Sequence, residues 1–473
     1  MPSHARFHRP PRRSSRPPRK VTPRPVSPAN APRERQPGPA EGQRLTVDVA
    51  SLAFEGKGVA RHEGRVVFVP LTAPGDRAEV LVRRDRSSFL EADLERVVTP
   101  GPARREPDCP LYSVCGGCHL MHMDYAAQLE AKRGFVRDAL ARIAHVPVEP
   151  DAVVGAPAES GYRRRATLRG RVTPRGVVLG FLRSATHDLV DVPSCMVLAP
   201  VLDAAEGALR AELDREAENL QDSELRADLV ADAGGRVAFL IWAERRHAPA
   251  WERIGRTLAV AGAVAVVRDE RGQVLFATDP VKFHYALDVP GGALAYQFTP
   301  GSFTQIHFEQ NQKLVETVLE RAGPGPFEAV LDLYSGIGNY ALPLARRAKA
   351  VLGIESSPVA VADARANAAA AGLAHVEFEC TSAQAAVSKL IEQNRTFDLV
   401  LLNPTRAGAE GLGQDLVRLG AKRMIYVSCH PPTLARDVAQ LVQGGYRLER
   451  VSPIDLFPQT YHVESVALLT REA

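Results

Sequence analysis

The chain has 473 residues, of which 45% are hydrophobic, and a formal net charge of +4 at pH 7. This length predicts two or three domains with sizeable cores. The sequence has no long apolar run and no apolar signal-peptide core, which argues against a membrane protein and predicts a cytoplasmic one.

Cysteine usage narrows the function classes further. Six cysteines in a long chain that is expected to stay inside the cell argue against a disulfide scaffold. They indicate metal binding or catalysis instead.

The first stretch, residues 1–42, is rich in proline, arginine and serine, with basic residues interleaved among prolines over 9–24. Such a segment buries too little apolar surface to fold, so we predict a disordered basic tail. A basic arm often touches nucleic-acid phosphates, and a solubilising tail is the alternative.

From Arg44 to Val98 apolar and polar residues alternate in short runs, such as 45–49, 65–69 and 78–82, separated by glycine and proline turns. This spacing is typical of a small β-barrel of the oligonucleotide-binding (OB) kind, which we place over residues 43–100. The stretch resembles a TRAM domain, an RNA-binding module attached to RNA-modifying enzymes; a generic small barrel is the alternative. We expect one basic side on the barrel, formed by Lys57, Arg61, Arg83, Arg84 and Arg86.

Three clustered cysteines, Cys109, Cys115 and Cys118, follow the barrel, and Gly116-Gly117 lets the loop fold back so that their sulfurs converge. A four-coordinate site needs one more ligand, and Cys195 is the best remaining cysteine because it too follows a loop proline. Four thiolates hold zinc or a 4Fe–4S cluster, and the spacing alone does not choose between them. Unrelated free thiols are the remaining alternative.

Residues 101–290 predict an α+β central domain, with helices near 125–143, 202–217 and 250–260. Within it, the strand predicted over 162–171 is rich in arginine. Alternation would place one set of these side chains on a single face as a candidate phosphate track, with a solvated sheet face as the alternative: Arg163, Arg165, Arg169 and Arg171.

A strand, a small-residue turn and a helix are predicted over 330–333, 335–339 and 340–350, the unit that opens a nucleotide-binding α/β domain. We place that domain over residues 291–473. A second strand, 350–354, ends in Glu355, at the position where an acidic residue holds a ribose diol. Because no phosphate-loop motif is present, S-adenosylmethionine is the candidate ligand, and an ordinary βα turn is the alternative.

Two later strands also deliver polar residues to their carboxyl ends, where ligands collect in open α/β sheets. Asn403 follows the buried run 397–402, and Cys429 follows 424–428 and precedes two prolines that end strand pairing. A cysteine there, beside a methyl donor, is a candidate nucleophile, whereas a buried cysteine is usually a small hydrophobe. Cys380 lacks this context and is predicted to be structural.

Taken together, residues 44–470 resemble the RNA (uracil-5)-methyltransferase family, in particular its bacterial 23S rRNA branch with a TRAM domain and an iron–sulfur cluster. The resemblance implies a multidomain fold with an OB-like barrel, an α+β central domain and a Rossmann-like methyltransferase domain. It rests on motifs in a fixed order: the barrel, the cysteine loop, Phe303-x-Gln305, DLYSGIGN at 332–339, NPxR-x-G from Asn403, SCxPxT from Ser428, and His462-x-Glu464.

The resemblance also implies roles for individual residues. A 4Fe–4S cluster would be held by Cys109, Cys115, Cys118 and Cys195. S-adenosylmethionine would contact Gln305, Tyr334, Asn339, Glu355, Asn403 and, less securely, Ser382. The nucleophile would be Cys429 and the general base Glu464.

The implied activity is methylation of uridine C5 in 23S rRNA. The expected partner is RNA and not a membrane, and the chain is expected to be a monomer. Addition of Cys429 to C6 makes C5 nucleophilic, and a carboxylate then removes the C5 proton. The uridine must leave its stack, and Phe303 is a candidate to stack on it.

Three residues depart from the family pattern: Asn403 replaces an aspartate, and His307 and His430 replace asparagines. The usual aspartate accepts the N3–H hydrogen bond of uracil, so the neutral amide costs about 1–2 kcal/mol, roughly tenfold in rate. We predict slower but retained uridine methylation. The alternatives are a tRNA uridine C5-methyltransferase and an RNA-binding or assembly protein with a weakened active site.

Overall fold

The computed structural model describes residues 41–86, 88–184 and 186–471, so the predicted basic tail over 1–42 lies almost entirely outside the described residues. The described chain forms a closed barrel, a seven-stranded central sheet, a two-stranded hairpin and a second seven-stranded sheet. This order confirms the predicted fold class. Within the described ranges, no helix is long and apolar enough to cross a membrane.

The barrel is built from strands whose alternate side chains point inward, as a period of two requires. Val47, Val67 and Val80 on the inward face are 2%, 0% and 0% exposed. The barrel closes in the order β1-β2-β3-β5-β4. Its strands are β1 Arg44–Leu52, β2 Gly58–His62, β3 Arg65–Val69, β4 Arg77–Asp85 and β5 Phe89–Thr99.

Three residues of the predicted basic side of this barrel have carboxylates beside them. Arg83 pairs with Asp93 at 2.6 Å, and Arg84 pairs with Glu91 at 3.4 Å, in both cases across the β4–β5 ladder. Lys57 pairs with Glu55 at 3.1 Å. Exposed pairs of this kind add little stability, but they offset the local positive charge.

The central sheet has the order β12-β11-β10-β9-β6-β7-β8. β6, the strand of this sheet that comes first in the sequence, begins at Arg165. Arg163 therefore lies before the strand and not on the strand face predicted for it. A helix, α1 Tyr125–Ala139, precedes the sheet, and α2 Pro200–Arg215 and α3 Ala248–Val260 pack on it. The strands are β6 Arg165–Thr173, β7 Gly176–Leu182, β8 Leu189–Asp191, β9 Ser223–Ala231, β10 Val237–Ala243, β11 Val264–Asp269 and β12 Val274–Ala277.

A hairpin of β13 Phe283–Val289 and β14 Gly292–Phe298 leads, through α4 Phe308–Ala322, into the last sheet. That sheet has the order β17-β16-β15-β18-β19-β21-β20, in which β15 to β19 are parallel and β21 is antiparallel to both β19 and β20. Its strands are β15 Phe327–Leu333, β16 Ala348–Glu355, β17 Val376–Cys380, β18 Leu399–Leu402, β19 Arg423–Ser428, β20 Tyr446–Ile454 and β21 Glu464–Arg471.

Helices follow each of the parallel strands, as in a doubly wound sheet. They are α5 Ala341–Ala345, α6 Pro358–Ala370, α7 Ala383–Glu392, α8 Gly413–Leu419 and α9 Pro431–Gln443. The carboxyl ends of the parallel strands therefore meet at one edge of the sheet.

The helix predicted over 340–350 is much shorter than expected, since the chain enters β16 at Ala348. There Ala348 lies opposite Phe327, and Val351 lies opposite Val330. Pairing of a buried parallel strand outweighs the helix preference of an alanine-containing sequence, because propensity is a weak prior beside tertiary contacts.

A buried ion pair joins α1 to the segment that leads into the last strand. Lys132 Nζ donates to Asp455 Oδ1 at 2.6 Å and to the Phe457 carbonyl at 3.0 Å, and the Tyr125 hydroxyl also donates to Asp455. Both charged side chains are 0% exposed. Burial lowers the pKa of Lys132, and the attraction of Asp455 opposes that shift. The pair therefore fixes the start of the 455–464 segment.

We expect Lys132→Met to destabilise the protein by about 3–5 kcal/mol, because Asp455 would remain buried without a counter-charge. Urea unfolding followed by circular dichroism measures the change. The matched control is Arg142→Met, which removes an exposed pair with Asp138 and should cost about 1 kcal/mol or less. Equal effects of the two substitutions would contradict this role for Lys132.

Candidate active site

The antiparallel pairing of the last strand brings the two predicted catalytic residues together. Ser428, at the end of β19, lies opposite Ser465 of β21. Cys429 follows Ser428 and Glu464 precedes Ser465, so both residues lie where this ladder ends. Burial, and next the negative charge of Glu464, raise the pKa of Cys429 to about 11. The two side chains therefore share one site.

Glu464 is held in a state suited to proton transfer. Its side chain is 4% exposed, and Oε2 has no hydrogen-bond partner among the described residues. Burial raises the pKa of Glu464 to about 7, while the positive charge of Arg406 acts in the opposite direction. A buried carboxyl group with a pKa near neutrality can accept or release a proton under ordinary conditions.

Arg406 lies beside the candidate site, although the sequence indicated it only as part of the NPxR-x-G motif and predicted no role for it. Its positive charge lowers the pKa of both Cys429 and Glu464, against the larger effect of burial. Its Nη2 lies 3.2 Å from Nε2 of His462, so the imidazole accepts from the guanidinium. Burial and Arg406 lower the pKa of His462 to about 3, which keeps that ring neutral. The sequence feature that could have indicated Arg406 is a basic residue in the turn after a buried strand.

The small-residue turn after β15 contains residues in the left-handed region of the backbone, which glycine adopts without strain. Gly336 has a φ of 55°, and even Tyr334 has a φ of 63°. The Gly336 N–H donates to Glu355 Oε2 at 3.1 Å, and the Ser357 N–H donates to Oε1 at 2.8 Å. These two amides fix the Glu355 carboxylate at the end of β16, beside the turn.

Two adjoining clefts lie at these strand ends, and Tyr334 lines both of them. The first is also lined by Gln305, Asn339 and Asn403, together with Phe303 and Tyr340. The second is also lined by Glu355 and Ser382. All six residues predicted to contact the methyl donor therefore lie in one pair of clefts.

The first cleft adjoins the candidate pair of Cys429 and Glu464 through Tyr340. Burial raises the pKa of Tyr340 well above its ordinary value, and the next largest cause is the negative charge of Glu464. The clefts and the pair of Cys429 and Glu464 thus belong to one region at the carboxyl edge of the sheet.

Like Glu355, the side chains of Asn339 and Ser382 are hydrogen-bonded within the protein itself. The amides of Asn339 and Asn311 pair reciprocally at 3.0 Å, and Asn339 also accepts from the Tyr285 hydroxyl at 2.8 Å. Ser382 Oγ accepts from the Ala385 N–H at 3.2 Å and caps α7. These contacts position both residues at the cleft walls.

The two histidine departures occupy helix N-caps. His307 Nδ1 accepts from the Gln310 N–H at the start of α4, and His430 Nδ1 accepts from the Thr433 N–H at the start of α9, each at 3.4 Å. Asparagine is a favoured N-cap, so each imidazole fills the capping place of the expected amide. Burial lowers the pKa of both rings, which favours the neutral form that can accept.

The four candidate metal-ligating cysteines lie near one another. Burial, and next the charges of Cys195, Cys115 and Cys109, raise the pKa of Cys118 to about 12. The Gly117 N–H donates to Cys115 Sγ at 3.4 Å. In the part of the chain that the structure describes, no group of three or more histidine, cysteine or acidic side chains is arranged to hold a metal ion.

Residues 124–472 match the sequence model of the tRNA (Uracil-5-)-methyltransferase family, and residues 40–94 match that of the TRAM domain. The chain is 37% identical over 446 residues to the 23S rRNA (uracil(1939)-C(5))-methyltransferase RlmD of Edwardsiella ictaluri, across 91% of this chain and 96% of that protein. The protein of the same name from Alkalilimnicola ehrlichii is 37% identical, across 90% and 96%.

A solved structure is also similar over most of its length. The crystal structure of the Pyrococcus abyssi tRNA (uracil-54, C5)-methyltransferase in complex with S-adenosyl-L-homocysteine aligns with a TM-score of 0.65 and 25% identity. The alignment covers 90% of this chain and 100% of that chain.

The two charged neighbours of Cys429 should change its reactivity toward iodoacetamide in opposite directions. Glu464→Gln removes the charge that raises the pKa of Cys429, so alkylation should become faster; Arg406→Gln should make it slower. One pKa unit changes the thiolate fraction about tenfold. Peptide mass spectrometry gives the rate, with the exposed Cys380 as the internal control. Changes in the same direction would contradict this electrostatic arrangement.

Proposed function

The chain belongs to the tRNA (uracil-5-)-methyltransferase family, and we propose that it methylates C5 of a uridine in 23S rRNA with S-adenosylmethionine as the methyl donor. The observation that carries the proposal is that Cys429 and Glu464 lie together where the β19–β21 ladder ends, beside the two clefts. The rRNA substrate is favoured because relatives that match about nine tenths of the chain carry 23S rRNA in their names. We propose a monomer, since one chain supplies every proposed site residue, and a cytoplasmic location, since the relatives are named for an rRNA substrate.

The donor would lie across the two clefts. Glu355 is oriented to accept hydrogen bonds from ribose hydroxyls, and the Gly336 turn lets a ligand approach the backbone closely. Gln305 and Asn403 in the first cleft would then face the methionine part. S-adenosylmethionine supplies an electrophilic methyl group on a sulfonium sulfur.

The first step would activate the base. The Cys429 thiol loses its proton to water, the thiolate sulfur bonds to C6 of uracil, and the C5–C6 π electrons move toward O4 to give an enolate. Because the pKa of Cys429 is about 11, the thiol is protonated at neutral pH. The Arg406 charge favours the thiolate form that attacks.

The second step would transfer the methyl group and release the product. C5 attacks the methyl carbon, and the bond from that carbon to the donor sulfur breaks. Glu464 then takes the C5 proton, the C5–C6 double bond forms again, and the bond between C6 and Cys429 breaks. A pKa near 7 leaves a useful fraction of Glu464 ionised for this task at neutral pH.

The base must leave its stack to reach Cys429. Phe303 is 64% exposed at the first cleft, which suits stacking on a flipped uracil. The barrel reaches the same place, because the ring of Phe54 packs edge-on against His430 at 5.1 Å and Tyr461 at 5.3 Å. RNA on the barrel would therefore lie beside Cys429.

The uracil N3–H would meet Asn403 where the family has an aspartate. The Asn403 amide oxygen can still accept this hydrogen bond, and its NH₂ group can donate to a carbonyl. The N-cap roles of His307 and His430 show that those two departures preserve local structure. Together these points favour an active enzyme over a binding protein with a decayed site.

We also propose that Cys109, Cys115, Cys118 and Cys195 hold a 4Fe–4S cluster. The mutual influence of the four thiols and the N–H group directed at Cys115 Sγ fit an anionic thiolate site. Each cysteine of such a cluster binds a different iron, so the sulfurs need not converge on one ion as they must for zinc. The cluster would supply a cross-link between the 109–118 loop and Cys195.

Purified protein should transfer labelled methyl groups from S-adenosylmethionine to uridine C5 in unmodified 23S rRNA. Cys429→Ala should reduce transfer to background, because the nucleophile is lost. Cys380→Ala, the matched control at another strand end, should retain full transfer. Methylation of tRNA alone would favour the tRNA enzyme, and RNA binding without transfer would favour a binding protein.

Protein purified without oxygen should be brown and contain about four iron atoms per chain. Cys118→Ser should lose both the colour and the iron, whereas Cys380→Ser should keep them. Colourless protein with one zinc per chain would refute the cluster.

A further inference from the structure

The central sheet has one face covered by helices; its other face is covered at one end, where Ala238 is 0% exposed, and is open around Trp242. On the covered face, Phe239, Ile241 and Val267 are 3%, 1% and 0% exposed and pack in the core with residues of α2 and α3. On the other face, Leu240 and Trp242 of β10 are only partly buried. Two clefts lie on this open face, and Arg226 and Trp242 line both of them.

Four residues form a row across the open face. Arg169 of β6 lies opposite Arg226 of β9, Arg226 lies opposite Trp242 of β10, and Trp242 lies opposite Arg268 of β11. The Arg226 guanidinium stands over the Trp242 ring at 4.8 Å. The row therefore contains three positively charged side chains and one aromatic ring, and no acidic side chain.

Carboxylates such as Glu224 and Glu244 also line the cleft that contains Arg169, but within the row only Arg226 has a carboxylate as a direct partner among the described residues. Arg226 donates to Asp228 at 2.9 Å. Arg169 and Arg268 form no ion pair with a carboxylate in the described ranges of the chain. Like charges placed opposite each other on neighbouring strands, as Arg169 and Arg226 are, repel, and an anion bound between them would relieve that repulsion.

The open face is continuous with the candidate active site. Of the two clefts that Trp242 lines, the one that also contains Arg268 is lined by residues 299–301 as well. Arg165 Nη1 then donates to the Ser302 carbonyl at 3.2 Å, and Phe303 and Gln305 line the first active-site cleft. One segment, 299–305, thus forms part of both walls.

We propose that this open face, centred on Trp242, binds an unpaired segment of the same RNA whose uridine enters the active site. The proposal rests on the proposed function. A base stacks with Trp242 and the Arg226 guanidinium, and neighbouring phosphates meet Arg169 and Arg268. The segment is single-stranded, because a duplex hides the faces of its bases.

The chain offers its own reporter, since its two tryptophans are Trp242 and Trp251 and the latter is 0% exposed. In the Trp251→Phe variant, Trp242 is the only tryptophan of the chain, so tryptophan fluorescence reports on Trp242 alone. A single-stranded 23S rRNA fragment that spans the uridine corresponding to 1939 should quench this emission, whereas an RNA duplex should not. Trp242→Ala should bind the fragment about tenfold more weakly or worse, and Trp242→Phe should largely restore binding. Affinity for S-adenosylmethionine should stay unchanged.

Charge is tested by a matched pair of substitutions. Arg268→Gln should lower the slope of log affinity against log salt by about 0.7, as expected for one lost phosphate contact. Arg253→Gln, on the helix that covers the other face, should leave the slope unchanged.

RNA binding that leaves Trp242 emission unchanged, together with full affinity of Trp242→Ala, would overturn the proposal. So would a role of Trp242 in self-association, seen as a change in molar mass without loss of RNA affinity. Both readouts are binding measurements, so an enzyme that failed to methylate rRNA would refute the proposed function without deciding this test.

Discussion

The reversed direction of one strand is the constraint on which the site depends. The parallel strands of the last sheet all end at the same edge, so none of them can begin there. Because β21 runs antiparallel to β19, its first residue, Glu464, lies at the edge where β19 ends and Cys429 follows. The proposed nucleophile and the proposed base, which are 35 positions apart in the sequence, thereby become neighbours. The segment before Glu464 is held by several parts of the chain. Lys132 on α1 anchors Asp455, and the His119 and Leu120 amides donate to the Gln459 carbonyl at 2.8 and 2.9 Å.

Burial sets the chemistry of this pair. It disfavours the charged form of both groups, so it raises the pKa of Cys429 and of Glu464 together. Arg406 moderates both shifts, because a guanidinium keeps its charge where a lysine could lose it. The candidate site therefore holds a thiol that is largely protonated at neutral pH and a carboxyl group that exchanges its proton near neutrality.

Local patterns predicted much of this arrangement. Alternation located the barrel strands, and the turn at Gly336, the strand end at Cys429 and the acidic residue at Glu355 all depend on residues near one another in the sequence. Features set by distant partners escaped prediction. The shortness of α5 follows from pairing of Ala348 with β15, and the carboxylates beside Arg83 and Arg84 come from the neighbouring strand. The capping roles of His307 and His430 needed the helix starts, and Arg406 needed the position of His462 before its influence on the pair could be recognised.

The covalent intermediate gives the most direct test of the central claim that Cys429 adds to uracil and Glu464 removes the C5 proton. Glu464→Gln should be incubated with S-adenosylmethionine and 23S rRNA, and the denatured protein analysed by mass spectrometry. The account predicts a stable adduct in which Cys429 carries a uridine that already bears the new methyl group. Normal turnover of Glu464→Gln, or an adduct at another residue, would contradict it.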